Sequence, residues 1–95
     1  MEIKIISNFV VPGVDDDEHL RLNRSEITLR AFFEKLSKRS PDPWVYVEPD
    51  ADSIDPDDWE VQINAIPYQD IKEGLKKKLF DGDTVILNIK PQGGG

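Results

Sequence analysis

The clearest pattern along the chain has a helical period. In TLRAFFEKLSKR, Leu29, Phe32, Phe33 and Leu36 fall at i, i+3, i+4 and i+7, one apolar stripe of a helix from Thr28 to Arg39. Thr28 stands where a side-chain oxygen caps the first turn. Ile27 before it and Phe32 inside the helix have the spacing of a hydrophobic staple. Lys35, Lys38 and Arg39 gather towards the end, where the helix dipole favours cations, and Pro41 prevents continuation.

Elsewhere the period is two. Glu2 to Val11 (EIKIISNFVV) is rich in β-branched residues and predicts a strand, with Ile3 and Ile5 on one face and Lys4 on the other. Pro12-Gly13 begins a turn, and Asp15-Asp16-Asp17-Glu18 is too charged to be buried. His19 to Asn23 (HLRLN) puts Leu20 and Leu22 on one face, so the first two segments predict a hairpin with a loose loop. Trp44 to Val47 (WVYV) is short and apolar, a strand or the end of the helical layer. Glu48 to Asp58 reads as an acidic loop containing proline.

Trp59 to Ile66 (WEVQINAI) alternates again, with Val61 and Ile63 together. Ile71 to Leu79 (IKEGLKKKL) predicts a short turn or helical piece, and Asp81-Gly82-Asp83 a tight turn. Thr84 to Ile89 (TVILNI) predicts the last strand, with Val85, Leu87 and Ile89 facing in and Ile86 and Asn88 facing out. One helix among several strands predicts an α+β fold, the helix packed on one face of a mostly antiparallel sheet. If the first and last strands are neighbours, the C-terminal tail leaves from the sheet's edge, free of the body.

Composition narrows the function. Ninety-five residues make one domain with one modest core and no large internal active-site cavity. The chain has no cysteine, which removes disulfides, thiolate zinc sites and a cysteine nucleophile. The absence of a signal-peptide pattern and of a long apolar run predicts a cytoplasmic protein with no membrane partner. A net charge of -7 disfavours nucleic acid and suits either simple solubility or docking on a basic protein surface.

The chain finishes in Gly93-Gly94-Gly95. Glycine visits most backbone conformations and has no side chain. Such an end predicts a thin, flexible strand that enters a narrow channel and presents a carboxylate. The competing reading is an incidental disordered end.

The element order, Phe80-Asp81-Gly82-Asp83-Thr84-Val85 and the glycine end together resemble the β-grasp, or ubiquitin-like, fold. More narrowly they resemble the small sulfur carriers of the MoaD/ThiS type. Those chains show a Val-Asn-Gly turn, a leucine, a Gly-Asp turn, a last strand and a terminal Gly-Gly. Here the run is Ile63-Asn64-Ala65, Leu79, Asp81-Gly82-Asp83, Val85-Ile86-Leu87 and Gly93-Gly94, and the Thr-Leu-Arg helix start at Thr28 also matches. The resemblance covers nearly the whole chain and departs from the family pattern at three places. Ala65 replaces a glycine, so a type I′ turn there would strain alanine at positive φ. Gly95 is an extra glycine, which leaves Gly94 or Gly95 as the reactive end. Asn88 stands where these carriers often expose a hydrophobic residue to their partner.

The resemblance implies a β-grasp domain over residues 1–90 and a flexible tail over 91–95. It implies a monomeric protein cosubstrate rather than an enzyme, with no bound cofactor. An E1-like (ThiF/MoeB-type) adenylyltransferase would use ATP and Mg to adenylate the C-terminal glycine. A sulfur donor would then give a thiocarboxylate, consumed by a downstream sulfur-accepting synthase in cofactor, amino-acid or tRNA biosynthesis. Gly93, Gly94 and Gly95 are the activation residues, and Ile86, Asn88 and Pro91 the candidate partner contacts. Rival readings are a ubiquitin-like modifier joined to lysines, the small subunit of molybdopterin synthase and a plain binding module.

Other constellations read as structure. Asp50, Asp52, Asp55, Asp57 and Asp58 suggest calcium, but an EF-hand loop counted from Asp50 needs glycine and glutamate where Asp55 and Val61 stand. His19 has no nucleophile or second base beside it in sequence and reads as a strand-edge surface residue. Lys76-Lys77-Lys78 reads as a solvated helical face. Trp44 and Trp59 bracket the acidic loop and read as seals on the core.

Overall fold

A computed structural model describes residues 1–9, 11, 18–39, 45–47, 50–54 and 58–89. Its elements are β1 (Glu2–Ser7), β2 (His19–Arg21), β3 (Glu26–Thr28), α1 (Leu29–Arg39), β4 (Trp59–Ile63), β5 (Ile66–Pro67), β6 (Lys78–Phe80) and β7 (Thr84–Ile89). Two 3₁₀ turns, Tyr68–Asp70 and Gly74–Lys76, separate β5 from β6.

Five strands form one mixed sheet in the order β2-β1-β7-β4-β5, and β3 pairs with β6 in a separate ribbon. β1 runs antiparallel to β2, with Ile3 opposite Leu20. It runs parallel to β7, with Ile5 opposite Val85 and Ile6 opposite Ile86. β7 runs antiparallel to β4, with Val61 opposite Leu87 and Ile63 opposite Val85. The last strand is therefore the sheet's middle strand. The expected departure of the tail from the sheet's edge falls on residues 90–95, which lie outside the described residues.

The two periods meet in one core. Leu29, Phe32, Phe33 and Leu36 of α1 share a buried cluster with Ile3, Ile5, Leu20, Val61, Ile63, Val85 and Leu87 from the sheet. The helix thus covers one sheet face, the arrangement an α+β domain needs to bury both apolar surfaces. The Thr28 Oγ1 accepts from the Ala31 N–H at 3.2 Å, as an N-cap should. The Leu29 N–H, orphaned at the helix start, donates to the Lys77 carbonyl at 2.8 Å.

Several local expectations change. β1 stops at Ser7 rather than Val11, because the Ser7 hydroxyl donates to the Phe9 carbonyl at 2.6 Å and the chain bends. Val45–Val47 forms neither strand nor helix. Tyr46 instead buries its ring against Phe33 and Trp59, at centroid distances of 5.7 and 5.0 Å. The predicted helical piece at Ile71–Leu79 holds a 3₁₀ turn and then β6. Ile89, expected inside, is 37% exposed at the rim of the sheet.

Candidate functional site

The site is the outer face of the sheet, opposite α1, together with the end of β7. Along β7 the inward residues Val85 and Leu87 are fully buried, so Ile86 and Asn88 project outward as alternation requires. Strand register sets Ile6, Ile86, Gln62 and Pro67 in one line across β1, β7, β4 and β5. Ile6 is 40% exposed and Pro67 is exposed, while Ile86 and Gln62 between them are half-buried. Ile6 and Ile86, register partners, form a small apolar spot on the solvent side of the sheet.

Asn88 lies one step towards the tail. Its amide Nδ2 donates to Glu60 Oε1 at 3.0 Å, so a side chain on β4 already engages it. Beyond Asn88, Ile89 is gripped from two sides. Trp59 is its register partner on β4, and the Asn8 side chain holds its backbone. Trp59 also stands 5.9 Å from the Phe9 ring, measured between centroids. The structure thus brings Ile86 and Asn88 onto one face of β7. Pro91, Gly93, Gly94 and Gly95 lie outside the described residues.

At the opposite end of this face a shallow hollow of about 260 Å³ is lined by Glu2, Lys4, His19, Asp81, Gly82 and Thr84. Glu2, His19, Asp81 and Gly82 are engaged in structural contacts there. Asp81 Oδ1 accepts from the Glu2 N–H at 2.8 Å, and the Gly82 N–H donates to the Glu2 carbonyl at 2.9 Å. Glu2 Oε1 lies 3.4 Å from Arg21 and 3.9 Å from His19. His19 is half-buried on the edge strand β2, in keeping with a strand-edge position.

The Asp81-Gly82-Asp83 motif is a fastener. The Asp83 N–H closes the turn on the Phe80 carbonyl at 3.0 Å, and Gly82 has the positive φ, 89°, that such a turn needs. Asp83 Oδ2 accepts from the Phe80 N–H at 2.8 Å, and its Oδ1 accepts from Asn64 Nδ2 at 3.1 Å. Motif residues that suggested a family therefore do their visible work in tying turns to strands.

The lysine run is not one helical face. Lys78 sits in β6 with Glu26 at 3.5 Å, and Lys77 has Glu73 at 3.9 Å. Asp50, Asp52 and Asp58 are exposed, Asp55 and Asp57 lie outside the described residues, and no cluster of three metal-ligating side chains occurs among the described residues. Trp59 packs against the core as a seal should, and Trp44 lies outside the described residues. Burial pushes the pKa of the Tyr46 hydroxyl up to about 12. No described helix is long and apolar enough to cross a membrane.

Two features of the site escaped the sequence reading. Ile6 was legible in principle: in Ile5-Ile6 strict alternation sends the second isoleucine outward. Asn8 was not, since its partner is 81 positions away.

Comparison with family models, with curated proteins and with solved structures gives no match to this chain. The class defined by the geometry is an α+β protein with a mixed five-stranded sheet and one helix.

Proposed function

We propose that this chain is a β-grasp sulfur carrier of the MoaD/ThiS type. The observation that carries the reading is the strand order β2-β1-β7-β4-β5 with a parallel β1–β7 centre, followed by Gly93-Gly94-Gly95 beyond the end of the middle strand. The outward line of Ile6 and Ile86 beside that end supports it, as a surface on which an adenylating enzyme docks while taking the glycine carboxylate. Asn88, held by Glu60, contributes a polar border to that surface. The net charge of -7 suits a basic partner and speeds encounter.

A carboxylate is a poor electrophile, and the chain's own acids do nothing to change that. On the partner, a carboxylate oxygen attacks the α-phosphorus of Mg-ATP and pyrophosphate leaves, giving an acyl-adenylate. Hydrosulfide then attacks the acyl carbon, AMP leaves, and a thiocarboxylate remains. One hard substitution becomes two easier ones, with the covalent site on the carrier. The carrier supplies a narrow end, because glycines let the backbone pass where a side chain would not.

ATP–pyrophosphate exchange by a ThiF/MoeB-type enzyme in the presence of this protein tests the reading. Exchange that depends on the protein and disappears with Gly94→Val supports it. Exchange that is equally fast with Gly94→Val contradicts it.

A further inference from the structure

The end of β7 is held by a side chain standing in for a strand. β1 follows β7 as far as Ser7 opposite Leu87, and there the Ser7–Phe9 bend takes it out of the ladder. Backbone groups along β7 face its two neighbours alternately. The Thr84 N–H and carbonyl turn to Asn64 beside β4, and the Asp83 carbonyl turns to β1. By the same alternation, the Ile89 N–H and carbonyl face the place β1 has vacated. Asn8 fills that place. Its Oδ1 accepts from the Ile89 N–H at 2.9 Å, and its Nδ2 donates to the Ile89 carbonyl at 3.0 Å. A primary amide presents a donor and an acceptor in the geometry of a peptide group, and asparagine here adds one more rung to the ladder.

We propose that Asn8 is a positioning residue: by holding Ile89 on β7 it fixes the point from which the chain runs on to the glycine carboxylate that the activating enzyme takes. This rests on the sulfur-carrier reading. From Lys90 to Gly95 the chain spans at most about 20 Å, so an enzyme docked on the sheet face meets the carboxylate within a fixed reach. Without the Asn8 amide, both Ile89 backbone groups lose these partners and only its register position opposite Trp59 remains. Docking must then fix Ile89. Fixing one more residue's backbone weakens productive docking roughly five- to thirtyfold. The chemistry at the glycines is unchanged, so the effect falls on KM rather than kcat.

The test compares wild type, Asn8→Ala and Asn8→Asp by two readouts, amide hydrogen exchange and the kinetics of adenylation. Asn8→Ala should speed exchange at Ile89 while Ile3, Ile5 and Leu87 keep their protection. It should raise KM for the carrier roughly five- to thirtyfold with kcat changed less than about twofold. Asn8→Asp keeps the acceptor for the Ile89 N–H and loses the donor, so it should fall between the two. Faster exchange at Ile89 with a wild-type KM would make Asn8 a structural residue only and overturn the proposal. Unchanged exchange would overturn it at the clamp itself. A wild-type protein that no adenylating enzyme of this class activates overturns the sulfur-carrier reading, and the positioning role with it.

Discussion

Asn64 and Thr84 exchange two hydrogen bonds of 2.9 Å each: the Asn64 N–H donates to the Thr84 carbonyl, and the Thr84 N–H donates to the Asn64 side-chain oxygen. This contact joins the β4–β5 hairpin to the start of the middle strand. It also holds a strained turn, since Asn64 and Ala65 both have positive φ, 51° and 70°, in a two-residue loop. Asparagine tolerates that region through its short polar side chain, whereas alanine is strained there by roughly 1–2 kcal/mol. Ala65→Gly should therefore stabilise the protein by about 0.5–1 kcal/mol, after the extra chain entropy glycine brings to the unfolded state. Asn64→Ala should destabilise it by about 1–3 kcal/mol, through lost bonds and a second strained alanine. Urea denaturation of the two variants measures both. A less stable Ala65→Gly protein would contradict the turn geometry.

Gly82 supplies the converse case. Its φ is 89°, and a Cβ added there would meet nothing within 4 Å. Gly82→Ala should cost about 1–2 kcal/mol from backbone strain alone, with no change in packing. Both turns favour glycine for the same reason, a positive φ, so Ala65→Gly gains stability where Gly82→Ala loses it. A neutral Gly82→Ala would contradict it.

Tyr46 makes the protein sensitive to alkali. Its hydroxyl is pushed up to about 12 by burial against the core, above an ordinary tyrosine value of 10.0. Between those values the unfolded chain loses the proton and the folded chain keeps it. The neutral ring's contribution to stability is therefore intact below pH 10 and declines as pH rises towards 12. Lysines also titrate in this range, so the quantity to measure is the stability difference between wild type and Tyr46→Phe as a function of pH. That difference should be flat below pH 10 and move in favour of Tyr46→Phe above it. A difference that stays flat to pH 12 would remove the burial argument.

The outer face can be tested without touching the core. Ile86 is half-buried and Ile6 is 40% exposed, so charge at Ile86 disturbs a surface rather than a packed interior. Ile86→Glu should leave stability within about 1 kcal/mol of wild type and weaken adenylation at least tenfold, because a central apolar contact would meet a carboxylate. With a basic partner, added salt should weaken the wild-type interaction further, as screening shortens the reach of opposite charge. Full adenylation of Ile86→Glu at low carrier concentration would place the docking surface elsewhere.

Much of the fold was legible because its periods are clean. The stripe Leu29, Phe32, Phe33 and Leu36 and the alternations Ile3–Ile5, Val61–Ile63 and Val85–Leu87 are local patterns, and all these residues are buried. The short strands were not. Glu26–Thr28 and Lys78–Phe80 have three residues each, too few to show alternation, and they exist because they pair with one another across some fifty positions. The place of β7 in the middle of the sheet is a fact about long-range pairing that no window of sequence contains. Ile86 was legible as an outward residue by parity. Asn8 and Asn64 were hidden for one shared reason: each is an asparagine side chain completing the backbone of a distant strand, and polar residues in a bend or turn look alike whether or not a strand end lies beside them.

The measurement closest to the central claim is the intact mass of the protein after incubation with a ThiF/MoeB-type adenylating enzyme, Mg-ATP and sulfide. The sulfur-carrier reading predicts a single species heavier by the replacement of one oxygen with one sulfur, placed by fragmentation at the glycine end, and absent when ATP is left out or Gly94→Val is used. Covalent attachment to lysines of other proteins would instead mark a ubiquitin-like modifier. An unchanged mass with an enzyme active on its own carrier would contradict the account.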